Sequence, residues 1–297
     1  MRRTTSVLAT TLFTAALGVG VAVPATAKVS PPKANHHSIK TSPYVALGDS
    51  YASAAGVAPL VAGAPATCSR STLNFAHDLA AATQPRSFTD VTCSGAKTAD
   101  FYGSQAPGVA PQLDAVTKKT RFVTMTIGGN DEDVFTSSFF GCATISATDV
   151  LGNPCQRKYG TTFTDAIVNQ TYPNVLAALK AVRKKAPAAT IAIVGYPQIL
   201  PEVGRLDCYR SMPIAMGDVP WLKHEQDVLN AVIARAARHA GARFIDMAAS
   251  SRGHDACAPV GTRWIEPAIA PVNAFPVHPN ATGEAAMAEQ TLLQLGL

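Results

Sequence analysis

Tyr44-Val45-Ala46-Leu47-Gly48-Asp49-Ser50 decides how the chain is read: a β-prone apolar run ends abruptly in a glycine and two small polar residues. A buried strand that breaks at its carboxyl end into a tight turn has this form. The cadence recurs, with residues 88–92 leading into Cys93-Ser94-Gly95 and residues 122–127 into Gly128-Gly129-Asn130-Asp131. Two further β-prone runs, Thr190–Val194 and Arg243–Ile245, bring the expected strands to five.

Helical stretches are predicted over residues 72–82, 110–118, 163–172, 173–185 and 221–240, with a closing helix over Ala281–Leu295. Val228, Leu229, Val232, Ile233 and Ala236 form the i, i+3, i+4 stripe of a helix lying on a sheet, and Ala285, Ala288, Leu292 and Leu295 form another. Strand and helix in alternation imply a parallel sheet covered on both faces, with right-handed crossovers. Ligands of such open sheets bind beyond the carboxyl ends of the strands, the edge that all three small polar segments reach.

The remaining sequence frames this domain. Arg2 and Arg3, an apolar run over residues 7–23 and Ala25-Thr26-Ala27 read as an export signal, residues 1–27, followed by a polar, proline-bearing leader over 28–42. One domain is expected over 43–297, without internal repeats. Removing residues 1–27 takes two Arg and no acid with it, lowering the formal charge from +5 to +3, which calls for no nucleic-acid partner. Arg183-Lys184-Lys185 ends a helical stretch and suits the helix dipole there. No later apolar run reaches membrane-spanning length, so the mature chain is expected to be soluble.

Six cysteines, Cys68, Cys93, Cys142, Cys155, Cys208 and Cys257, form an even set that favours three disulfides in an exported chain. Their spacing leaves the connectivity open. No CxxC pair or clustered His and Cys has zinc-ligand spacing, and His36 and His37 lie in the leader, where no role is expected of them.

A serine hydroxyl needs a base to take its proton, and the acyl oxyanion it generates needs preorganised donors. Ser50 follows Gly48 in a turn that exposes a hydroxyl, although Gly-Asp-Ser by itself is also an ordinary turn or helix cap. Gly95 offers an unobstructed backbone N–H, and Asn130 a side-chain N–H with Asp131 to cap or orient its loop; turn residues again are the plainer reading of each. His278 stands in Val277-His278-Pro279-Asn280, before the closing helix. Their joint occurrence, in order after three successive strands with the histidine last, is what separates them from independent turns.

GDSY at 48–51, Gly95, GGND at 128–131 and HPN at 278–280 resemble the four blocks of the SGNH, or GDSL, hydrolase superfamily, and the six cysteines resemble those of exported actinobacterial GDSL lipases and esterases. The resemblance runs from about residue 44 to the C-terminus. It implies a three-layer α/β/α flavodoxin-like fold with a five-stranded parallel sheet, no metal or cofactor, Ser50 as nucleophile, and His278 as general base and acid. It further implies an oxyanion hole of the Ser50 N–H, Gly95 N–H and Asn130 side chain, and disulfides Cys68–Cys93, Cys142–Cys155 and Cys208–Cys257. The superfamily places an acid three residues before the histidine, where this chain has Phe275; the expectation is a dyad whose imidazole is oriented by the Phe275 carbonyl, with Glu266 or Asp255 as the alternative partner.

The function expected is secreted hydrolysis of carboxylic esters, lipid acyl esters first, by a monomer that meets lipid interfaces transiently. A carbohydrate esterase or phospholipase would use the same machinery, and a non-catalytic secreted binding module is the reading from another class. Residues 142–159 and 197–221, the latter carrying Ile199, Leu200, Met212, Ile214, Met216 and Trp221, either flank an acyl pocket or form ordinary core.

Overall fold

The computed structural model describes residue 39 and residues 41–297, so the expected signal and most of the leader lie outside the described residues. The strands are β1 (Pro43–Ala46), β2 (Ser87–Asp90), β3 (Phe122–Met125), β4 (Thr190–Val194) and β5 (Arg243–Ile245). All pair in parallel in the order β2-β1-β3-β4-β5, with Tyr44 beside Phe88 on one side and Phe122 on the other. That is the flavodoxin-like order, and the succession of strands reverses at β1 and β3, where a crevice opens.

Strand alternation divides the interior in two. Tyr44, Ala46, Phe122, Ala192 and Val194 face α2 (Phe75–Thr83) and α8 (Ala281–Leu295), burying Phe75, Leu79, Met287 and Leu295. Val45, Leu47, Val123, Met125, Ile191 and Ile193 face α6 (Tyr172–Lys185) and α7 (Val219–Ala240), where Val175, Leu179, Val182, Val232 and Ile233 are buried. The sheet is therefore covered on both faces, as strand–helix alternation requires.

Several boundaries differ from the sequence reading. The first three strands end sooner, yet main-chain bonding continues past them: Leu47 N–H donates to Thr124 O and Asp49 N–H to Thr126 O, both at 2.9 Å. Residues 110–118 form only a 3-10 turn, Gln112–Ala115, which ends where Val116 becomes extended, and its Gln112 side chain bonds the main chain of Gly48. Residues 163–185 run on through α5 (Thr162–Ala166), a π-helical turn Ile167–Thr171 and α6, the wide turn absorbing the N–H that Pro173 lacks. On α8 Ala285 is exposed, and the buried stripe is instead Glu284, Met287, Ala288, Thr291 and Leu295. The stripe is turned because Glu284 accepts the Phe75 N–H at the start of α2, at 2.9 Å.

Between β3 and α5 lie α3 (Val134–Ser146) and α4 (Pro154–Tyr159), which the sequence reading lacked, joined by Cys142–Cys155. Cys68–Cys93 and Cys208–Cys257 complete the three disulfides and leave no free cysteine. No helix among the described residues is long and apolar enough to cross a membrane.

Candidate active site

Three loops meet at the β1/β3 crevice. Gly48, at φ +129°, turns the chain out of β1 where a side chain would strike the Thr126 main chain and Ala52. Gln112 fixes this turn from both sides, accepting the Gly48 N–H at 2.7 Å and donating to its carbonyl at 2.9 Å. Asp49 then caps the single turn α1 (Ser50–Ser53) by accepting the Tyr51 N–H at 3.0 Å. Ser50 is the first residue of that turn, and its own N–H has no protein acceptor among the described residues.

Gly95, at φ +76°, stands in a loop held by Cys93 N–H to Gly48 O (3.0 Å), Ser94 N–H to Cys68 O (3.0 Å) and Cys68–Cys93. Its N–H likewise lacks a protein acceptor among the described residues. Asn130 donates from Nδ2 to Ala96 O at 3.1 Å, which binds the third loop to the second and leaves its other amide hydrogen unspent. Asp131 reinforces that junction by accepting the Thr98 N–H and hydroxyl, at 2.8 and 2.7 Å. Gly129 N–H donates to the Tyr196 hydroxyl at 2.7 Å, and that hydroxyl donates to Asp49 at 2.5 Å, so one buried tyrosine links the first loop to the third. Burial pushes the Asp49 carboxyl up to about 7, against the lowering effect of Tyr196.

His278 arrives from the other end of the chain with Nε2 2.8 Å from Ser50 Oγ. Its Nδ1 lies 2.8 Å from Pro276 O; a carbonyl only accepts, so the proton is on Nδ1 and Nε2 presents a lone pair to the serine. The expected Phe275 carbonyl is corrected to that of Pro276. Phe275 O instead accepts the His278 N–H at 3.2 Å, closing a turn in which Val277 adopts φ +62° and leaves the Pro276 carbonyl to the ring.

The loop is tied by Tyr51, whose hydroxyl donates to Val277 O at 2.6 Å, and by Phe275 N–H to Ala55 O at 3.0 Å. Neither alternative acid meets the imidazole. Glu266 binds Arg263 at 2.5 Å, Asn280 at 3.0 Å and the Val272 N–H at 2.9 Å, while Asp255 accepts the Cys257 N–H at 2.9 Å. Burial holds His278 below its ordinary value, opposed by the Pro276 bond, and the rings of Tyr51, Phe135 and Phe275 surround it.

Of the apolar residues considered for an acyl pocket, Ile199, Leu200, Met212 and Ile214 are buried in the main core, and Trp221 packs on Phe163. Ile199 also lines a small cavity behind Phe135. Gln112, Tyr51 and Tyr196 were not singled out from the sequence; only the adjacency of Tyr51 to Ser50 could have pointed to one of them. Among the described residues no group of three or more His, Cys, Asp or Glu is gathered to hold a metal ion.

Residues 46–286 match the GDSL-like Lipase/Acylhydrolase family. The chain is 45% identical to Lipase 2 of Streptomyces coelicolor over 100% of its own length and 98% of that protein's. It is 30% identical to a Streptomyces rimosus lipase over 88% of this chain and 87% of that one. Among solved structures, phospholipase A1 of Streptomyces albidoflavus superposes with a TM-score of 0.70 at 28% identity, and an extracellular lipase of S. rimosus with 0.67 at 27%. Each covers 85% of this chain and 98% of its own.

Proposed function

The chain belongs to the GDSL-like lipase/acylhydrolase family and is a carboxylic ester hydrolase, and from that premise we propose that it works through an acyl-enzyme on Ser50. The observation that carries this reading is the 2.8 Å contact between Ser50 Oγ and the unprotonated Nε2 of His278. Nε2 takes the hydroxyl proton as Oγ attacks the ester carbonyl. The resulting oxyanion is received by the Ser50 and Gly95 N–H groups and by Asn130 Nδ2. Collapse of the tetrahedral adduct breaks the bond to the alcohol, which leaves with the proton from His278. Water then repeats the sequence on the acyl-enzyme and returns Ser50.

Lipid acyl esters are the proposed substrates, on the strength of the S. coelicolor relative named a lipase at 45% identity over the whole chain. Phospholipid esters are the second reading, favoured by the likeness to a phospholipase A1. We further propose that the protein is exported after removal of residues 1–27. The extracellular S. rimosus lipase and six cysteines that are all paired support export.

The test is incubation of the purified mature protein with an organophosphonate and with p-nitrophenyl esters and phospholipids of short and long acyl chains. Covalent labelling at Ser50 together with ester turnover is expected, and the acyl profile ranks the two substrate classes. Turnover that survives Ser50→Ala would end the proposal.

A further inference from the structure

Beside the dyad lies a cavity of about 30 Å³, roughly the space of one water molecule, lined by Gly129, Phe135, Phe139, Ile199, Leu222 and Glu225 among others. Two of these residues connect it to the site already described. Gly129 is the link between Tyr196 and Asn130, and the Phe135 ring stands 6.0 Å from that of His278 and 6.3 Å from that of Tyr51. Phe135 is thus the partition between the cavity and the dyad.

Glu225 is out of place in this lining. It projects from α7 into apolar surroundings, is only 5% exposed, and its Oε2 has no hydrogen-bond partner. Ser138 is its only hydrogen-bonding neighbour, and no cation faces it among the described residues, so burial pushes the carboxyl up to about 8 and keeps it neutral near pH 7. A neutral carboxyl has a hydroxyl to give and an oxygen to receive with, and leaving such a group unsatisfied costs about 1–3 kcal/mol. Leucine or methionine would fill the position without that cost. Local rules broken without visible compensation tend to mark functional positions, and neither the dyad nor the oxyanion donors use Glu225.

We propose that this cavity is a subsite for a neutral hydrogen-bonding group, a hydroxyl above all, carried on the acyl part of the ester, with the Glu225 carboxyl as its partner. The inference rests on acyl transfer to Ser50. The cavity's size suits a single polar atom and its carbon rather than a chain, and the Phe135 ring stands between it and His278. A site built around a buried polar group discriminates against the analogue that leaves it unpaired.

The experiment compares kcat/KM for pairs of p-nitrophenyl esters of equal acyl length, one plain and one hydroxylated, with the hydroxyl walked along the chain. Wild-type protein is expected to favour the hydroxylated ester by about three- to tenfold at one position, the worth of one hydrogen bond. Glu225→Gln, whose amide also donates and accepts, keeps a preference. Glu225→Leu, or Glu225→Met where that variant does not fold, loses it. Because each ratio is read within one protein, changes in overall turnover cancel. Equal rates for every pair in the wild type, or a preference that persists in the apolar variant, overturn the subsite. Absence of any ester hydrolysis and of Ser50 labelling would instead overturn the acyl-transfer reading beneath it.

Discussion

The two halves of the proposed dyad are held in different ways. Ser50 and the proposed oxyanion donors stand on loops that leave neighbouring strands and are pinned to one another by main-chain bonds just beyond the strand ends, Asp49 to Thr126 and Cys93 to Gly48. His278 stands on a loop more than two hundred residues away, secured by the Tyr51 hydroxyl, the Ala55 carbonyl and the Glu266 main chain. The first half inherits its geometry from the fold. The second is assembled from a few separate contacts, so single side chains there set the position of the proposed base.

Asn130→Ala is expected to have the largest effect, removing a donor from the rigid half. Turnover should fall roughly 10²–10³-fold, about 2.7–4 kcal/mol in the barrier, with KM little changed and the melting temperature as a check on folding. Near-normal turnover in a folded variant would remove Asn130 from the oxyanion hole.

Smaller and more diagnostic are the two tyrosine variants. Tyr196→Phe strips a partner from Gly129 and Asp49, and Tyr51→Phe strips one from Val277, each leaving a buried group unpaired at about 1–3 kcal/mol. Both should lower kcat by about tenfold, but a double-mutant cycle separates them. Tyr196→Phe should couple with Asn130→Ala because both act on the third loop, whereas Tyr51→Phe should add to it independently. If both couple equally, the halves are not distinct.

The mildest effect is on pH dependence. His278 is held below its ordinary value of 6.5, so as the proposed base it stays neutral to lower pH than a free imidazole, and the acid limb of kcat/KM should fall below 6.5. The same shift means that the unfolded chain binds that proton more readily, so this residue's contribution to stability is present above 6.5 and is lost as pH falls through the folded value. A limb above 6.5 would place a charged partner on the ring.

What the sequence discloses follows the same division. The strands were legible from their apolar runs, and Ser50, Gly95 and Asn130 from the small polar residues that end them; the structure brings Ser50 and His278 together. Gln112 and Tyr196 were not legible, because their partners are a main-chain group 64 positions away and a carboxylate 147 positions away. The shift from the Phe275 to the Pro276 carbonyl depends on a positive φ at Val277, which a β-branched residue does not advertise. Helix α3 was missed because Val-Phe-Thr-Ser-Ser-Phe-Phe is poor in strong helix formers. Its packing and the Cys142–Cys155 bridge hold what propensity does not.

A carbonyl stands where the wider superfamily keeps a carboxylate, and this changes the character of the imidazole. With no full negative charge behind it, the ring has less appetite for a proton, and extraction of hydrogen from Ser50 is the harder for it. The corresponding imidazolium is the stronger acid and surrenders its proton more willingly to the departing alkoxide. In the proposed cycle the protein has traded vigour in the opening move for ease in the one that expels the alcohol.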